Sequence, residues 1–447
     1  MSSNHEAGNC QRWLIISHAF NMDGRAASQT ITDKLPHLAR AGIEVVVISG
    51  VSGRRDTLLE HHQLWPMGPA GIRFELRHVL RRRCGSGFVY RLLMTLASVL
   101  LLPGMLVEKL LRPVESSWSW WLSAYLKGRQ LARQQPFDLI YSTGGAFAAH
   151  LAGRALKKAT GTPWLAEVHD PMVTPGSTPA TPQQKMQAEI ERLICTHADV
   201  AIWFTEQALA SARHRHPQLG ERGKMMLPGI DQPFKVLPPY QPGPKLIIGH
   251  FGSLSSTRNL GPIIGALEGL RQHRPDLIES TELHVYGGPL DPVSSEKLAH
   301  STVRNNVRHF GRIEVDPQTG LTGRDQILQR MRSVDVLLLL HGEVPTCEEY
   351  IPSKLYEYLW MQRPILAMVH RNPQMAALIR SQGHVAVCSD EDHADRAAVI
   401  RELALALEQW FDQWRAEGLA DNRQASPYAT GAAVTQLLGW VSSARWV

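Results

Sequence analysis

The residues best suited to chemistry lie within residues 334–369, VDVLLLLHGEVPTCEEYIPSKLYEYLWMQRPILAMV. Glu349 and Glu357 stand there as E-x7-E, on either side of Pro352, Ser353 and Lys354. Two carboxylates so placed can flank a polar ligand and accept hydrogen bonds from it, and a lysine between them can meet a negative group. Pro352 suits the first position of a helix, so the backbone N–H groups of Ser353, Lys354 and Leu355 are expected to point out of the helix N-terminus as an anion site. The apolar runs at 334–340 and 364–369 have the length of buried strands. Together they predict a β-loop-α-β unit whose site lies at the carboxyl end of its first strand, where open α/β sheets bind ligands.

The elements around this unit follow from the rest of the chain. With 447 residues, 44% hydrophobic and 20% charged, the protein has material for two domains with sizeable cores. Apolar strands are expected at 13–19, 44–50, 138–143, 163–170, 198–204 and 224–231, and again at 245–252, 282–288, 307–311, 334–340, 364–369 and 384–389. Five prolines in residues 232–244, QPFKVLPPYQPGP, mark a linker between the two sets. A turn at 21–25 containing Gly24 leads into a helix expected over about 26–40. No G-x-G-x-x-G follows the first strand, which removes the best support for hydride transfer with a dinucleotide.

Composition narrows the partners. A net charge of +6 and a pI near 9.1 are compatible with nucleic acid, anionic lipid or phosphorylated substrates, and no nucleic-acid recognition module stands behind the first. The five cysteines are odd in number and lack metal-type spacing, which points to a reducing compartment and against structural zinc. No basic region followed by an apolar one opens the chain, so the expected location is cytoplasmic, peripheral on the cytosolic face of the inner or plasma membrane. Residues 73–121 carry that membrane expectation. Arg73, Arg77, Arg81, Arg82 and Arg83 precede the apolar stretch 92–107, and Lys109, Arg112, Trp118, Trp120 and Trp121 follow it. Broken by Pro103 and Gly104, the stretch is too short for a spanning helix but fits an interfacial one on an anionic membrane surface. A buried helix ringed by solvated arginines is the competing reading.

The run EEYIPSKLYEYLWMQRPILA resembles the donor-sugar segment of retaining glycosyltransferases of family 4 (glycosyl transferases group 1). That resemblance implies an α/β GT-B fold, two Rossmann-like doubly wound parallel-sheet domains facing a cleft. The N-terminal acceptor-binding domain would span 1–235, the nucleotide-sugar donor domain 245–425, and a C-terminal helix in 426–447 would return to the first domain. It further implies that Glu349 contacts the sugar ring, that Glu357 binds the nucleotide ribose, and that Arg258, Ser353 and Lys354 bind the donor diphosphate. Arg258 lies in GSLSSTRNLG, where relatives usually place two basic residues and this chain has one. His169 and Asp170 close the strand PWLAEVHD and would approach the donor, with HDPM standing where many relatives read RDPW. Gly24 and Asp170 would form cleft loops. Asp390-Glu391-Asp392 is read as helix capping, so neither a metal nor another cofactor is expected. The implied activity is metal-independent transfer of a sugar from a nucleotide-diphosphate sugar to a lipid-linked or polysaccharide acceptor, with retention, in cell-surface glycan biosynthesis. A nucleotide-sugar 2-epimerase of the same fold and an inactive membrane-bound scaffold are the alternatives.

Overall fold

The computed structural model describes residues 11–22, 26–144, 147–316, 318–389, 396–421 and 426–443. The chain divides into two compact units, residues 1–231 with 428–447 and residues 232–427. Gly24 and Asp390-Glu391-Asp392 lie outside the described residues.

In the first unit the strands are β1 (Arg12–Ile16), β2 (Glu44–Gly50), β3 (Glu60–Leu64), β4 (Leu139–Thr143), β5 (Trp164–Val168), β6 (Val200–Trp203) and β7 (Gly223–Met225). They form one parallel sheet in the order β3-β2-β1-β4-β5-β6-β7. Every residue of β1, β4 and β5 is buried, because helices cover both faces of such a sheet and leave no polar side for alternation to mark. β3 is absent from the expected set. Its sequence, EHHQL, sits at the sheet edge and carries no apolar run.

The second unit holds β8 (Leu246–Phe251), β9 (Thr281–Tyr286), β10 (Val307–Gly311), β11 (Val336–Leu340), β12 (Ile365–His370) and β13 (Val385–Ser389). These coincide with the six expected strands and form a parallel sheet ordered β10-β9-β8-β11-β12-β13. The order turns between β8 and β11, so the carboxyl ends of those two strands frame the topological switch point. Helices Gly261–His273 and Arg396–Glu417 close one face through Ile263, Ile264, Leu267, Leu403, Leu407 and Phe411.

Two helices depart from expectation. The stretch 26–40 is split into Ala26–Thr32 and Leu35–Arg40, since Pro36 fits the start of a helix and not its middle. Lys34, at the break, is fully buried. Residues 88–111 form one unbroken 24-residue helix through Pro103, long and apolar enough to cross a membrane, where a broken segment was expected. It lies against helix Pro69–Cys84: Arg73 Nε donates to Ser98 Oγ at 2.8 Å, the Ala70 N–H donates to Glu108 Oε2 at 2.9 Å, and Gly104 faces Pro69. No residue of the helix is buried. Leu100 is 81% and Leu110 84% exposed, with Phe88, Leu96, Val99 and Leu111 also turned outward.

Candidate functional site

The E-x7-E unit is built by β11 and the loop that follows it. Strand residues VLLLL are all buried and end at His341, after which a turn over Pro345–Glu349 brings Glu349 inward. Glu349 is only 2% exposed, an unusual position for a carboxyl group. The turn is pinned from two sides. Asn372 caps the helix Pro373–Ser381 by accepting the Met375 N–H at 2.9 Å, and its amide donates to the carbonyls of Cys347 (3.1 Å) and Tyr350 (3.0 Å). His341 Nε2 bonds the Tyr350 carbonyl at 3.0 Å, while its Nδ1 accepts the His370 N–H at 3.2 Å. Those two bonds fix the neutral tautomer with the proton on Nε2.

Glu357 lies in the first turn of the helix Lys354–Trp360 and is 5% exposed. Its Oε1 accepts Arg324 Nη1 at 3.0 Å, and its Oε2 accepts Lys354 Nζ. The helix starts two residues later than Pro352 suggested. The Leu355 N–H is turned back onto the Pro352 carbonyl at 3.0 Å, so it does not point outward as an anion donor. Tyr358, from the same helix, donates to the Leu338 carbonyl (3.4 Å) and accepts the Phe251 N–H (3.1 Å), which ties the helix to β8 and β11.

Arg258 sits in the loop after β8. Residues 255 and 258 exchange backbone hydrogen bonds at 2.9 and 3.0 Å, and Arg258 Nε donates to the Ser253 carbonyl at 3.0 Å. The loop is fastened to the E-x7-E segment by the Glu343 N–H, which donates to the Thr257 carbonyl at 2.9 Å. Gly287 lets the loop approach: it has φ +148°, and a Cβ there would lie 2.1 Å from the Gly252 carbonyl oxygen. Asn259 is buried and spends its amide on Ser256 and Gly261, so Arg258 is the basic residue this loop offers. Burial lowers His250 to about 4, and the charges of Arg258 and Lys354 both add to that shift. Burial likewise lowers His341 to about 4, again with a contribution from Arg258. The two cations thus both act on His250, near the carboxyl end of β8, and Lys354 is paired with Glu357.

His169 and Asp170 belong to the first unit, just past β5. His169 Nε2 lies 2.9 Å from Glu167 Oε1 and 2.8 Å from Thr143 Oγ1, and its ring stacks on Phe204 with centroids 4.7 Å apart. Glu167 is fully buried and also accepts Lys34 Nζ and the Tyr141 hydroxyl, each at 2.6 Å. Burial alone would raise the Glu167 carboxyl, but Lys34 and His169 hold it well below the usual carboxylate range. A proton on Nε2 directed at Glu167 leaves Nδ1 as the other functional atom of the imidazole. Sequence reasoning missed Lys34, Glu167, Arg324, His341 and Asn372. Asn372 before Pro373 is a readable helix start, whereas Lys34 lies 133 positions from its partner and Arg324 lies 33 from Glu357.

Two parallel Rossmann-like sheets, each with helices on both faces, define the GT-B class of fold. Residues 26–222 match the family model described as a glycosyl transferase 4-like domain. No curated protein sequence matches the chain. Among solved structures it is similar to TarM (9% identity, 98% of this chain and 99% of that one, TM-score 0.61). It is similar too to sucrose-phosphate synthase from Thermosynechococcus elongatus (13%, 97% and 98%, TM-score 0.58). A third is WaaG, a glycosyltransferase involved in lipopolysaccharide biosynthesis (14%, 95% and 99%, TM-score 0.53). At these identities the likeness is one of fold.

Proposed function

We propose that this protein is a retaining, metal-independent hexosyltransferase. It moves a sugar from a nucleotide-diphosphate sugar to a lipid-linked or polysaccharide acceptor in cell-surface glycan biosynthesis. The observation that carries this reading is the pair of buried carboxylates, Glu349 and Glu357, in the segment after β11, with Lys354 bonded to Glu357 and the Arg258 loop fastened to the same segment. In such a transfer positive charge develops at the anomeric carbon and negative charge on the departing diphosphate, so catalysis is mostly positioning and charge stabilisation. Arg258 and Lys354, with Ser353 beside them, would meet the diphosphate and supply the charge that a metal supplies elsewhere. Glu357, aimed by Arg324, would accept from the ribose, and Glu349 would contact the sugar ring. His169, oriented by Glu167 and Thr143, would present Nδ1 to donor or acceptor, with Asp170 beside it.

The helical pair 69–111 supports an acceptor at a membrane. The outward apolar surface of Phe88–Leu111 is what a bilayer covers, and water does not favour leaving it bare. Crossing the bilayer is disfavoured by its partner, since helix Pro69–Cys84 returns along it carrying Arg73, Arg77, Arg81, Arg82 and Arg83. An in-plane arrangement places the leucines among acyl chains and the guanidinium groups among anionic headgroups on the cytosolic face. Trp120 takes no part, because it is fully buried and donates to the Leu64 carbonyl at 3.2 Å.

Calorimetric titration with a panel of nucleoside diphosphates and their sugars tests the donor site. One nucleotide is expected to bind saturably to the wild type and at least tenfold more weakly to Glu357→Ala. A folded protein that binds none of them would overturn the reading.

A further inference from the structure

A second concavity lies in the first unit, at the opposite end of the sheet from His169. Helices Phe147–Thr160 and Pro182–His197 both end there, and residues 198–200 and 221–224 lead from it into the amino ends of β6 and β7. It encloses about 920 Å³, in the range of sites that hold small organic ligands.

Five cationic side chains line it, Arg154, Lys157, Lys158, Arg222 and Lys224, against two carboxylates, Asp199 and Glu221. Part of this charge has a structural task. Lys157 donates to the His197 carbonyl (2.9 Å) and to Asp199 Oδ1 (2.6 Å), and Arg222 donates to the carbonyls of Cys195 and Gln218 (both 2.7 Å) and of Ala198. Cations at helix C-termini commonly do this. Asp199 is used up as well, its second oxygen accepting the Trp164 N–H at 2.7 Å. The remainder is less committed. Lys158 and Lys224 make no side-chain hydrogen bond or ion pair among the described residues, and Arg154, whose Nη2 lies 3.5 Å from His197 Nε2, has its Nε buried without an acceptor. Facing these three cations, Glu221 is the one carboxylate left. The indole of Trp440 supplies a flat apolar wall beside them.

We propose that this cavity is a binding site for a soluble ligand bearing a phosphate or diphosphate group, separate from the donor site of the second unit. Guanidinium and ammonium donors converging on a cavity of this size suit phosphate oxygens, and Trp440 suits the face of an attached sugar or base. The ligand comes from solution, because the cavity lies at the amino ends of β6 and β7, whereas the chain leading through helix Pro69–Cys84 to the apolar helix Phe88–Leu111 leaves the carboxyl end of β3, the other edge strand of the sheet. His197 reports occupancy. Burial lowers its pKa, and Arg154, Arg192, Lys157 and Arg222 add to that, so a bound anion would raise it.

The test uses the full chain carrying Arg258→Ala and Lys354→Ala, which removes the phosphate contacts proposed for the donor site, titrated with inorganic pyrophosphate. The expected result is saturable binding with an upward shift of the His197 titration followed by NMR, weakened at least tenfold by adding Lys158→Glu and Lys224→Glu. Absence of saturable binding, or binding indifferent to the two added substitutions, overturns the proposal. Binding to phosphatidylglycerol vesicles through the same two lysines, with none to pyrophosphate, overturns the assignment to a soluble ligand.

Discussion

At the scale of single residues, the candidate site side chains are held by partners remote in sequence. Glu349 and Glu357 were legible because their spacing, the proline between them and the flanking apolar runs all lie within one segment. The groups that orient them were not. Arg324 reaches Glu357 from another helix, and Lys34 reaches Glu167 across the sheet, so neither pairing leaves a local signal. The Lys34–Glu167 pair is fully buried, and a buried charge that loses its partner costs about 3–5 kcal/mol. Glu167→Gln is therefore expected to lower unfolding stability by about that amount in urea titration, because Lys34 remains charged and enclosed. Combining it with Lys34→Met should recover much of the loss. Equal stability of Glu167→Gln and wild type would show that the pair does not hold the site.

At the scale of elements, legibility followed hydrophobic pattern. The six strands of the second unit were readable because each is an apolar run closed by polar or glycine residues. β3 was not, since an edge strand reading EHHQL has neither run nor alternation. Pro36 splits residues 26–40, where one helix was expected, and Pro103 misled, because a proline removes one ladder bond and a long helix with a packed neighbour survives that. Helix Phe88–Leu111 yields a prediction with two readouts. Leu96→Glu with Leu100→Glu is expected to abolish cosedimentation with anionic vesicles and to leave the melting temperature unchanged, since both side chains are exposed. A lowered melting temperature would mean that the helix packs within the protein, and unaltered cosedimentation would remove the bilayer from the account.

For the molecule as a whole, the sheets that place the site also enclose several histidines in neutral form. Burial lowers His61, His250, His341 and His384 to about 4 and His150 to about 3. In the unfolded chain these groups titrate near about 6.5. Stability is thus complete above that value and is lost as the pH falls from there through about 4, because the unfolded state takes up protons first. Urea midpoints are expected to fall between pH 7.5 and pH 5, with a shallower fall in His384→Phe; a flat profile would contradict the neutral burial of these rings. Glu167, held low, adds a further loss at still more acid pH. The proposed sugar transfer is checked by incubating the protein with membrane extract and radiolabelled nucleotide sugars and following label into lipid-linked or polymeric glycan, wild type beside Glu349→Gln. Incorporation from one donor is expected, reduced at least a hundredfold by the substitution while nucleotide binding persists. Incorporation that is equal in both proteins, or donor consumption with no labelled glycan, would contradict it.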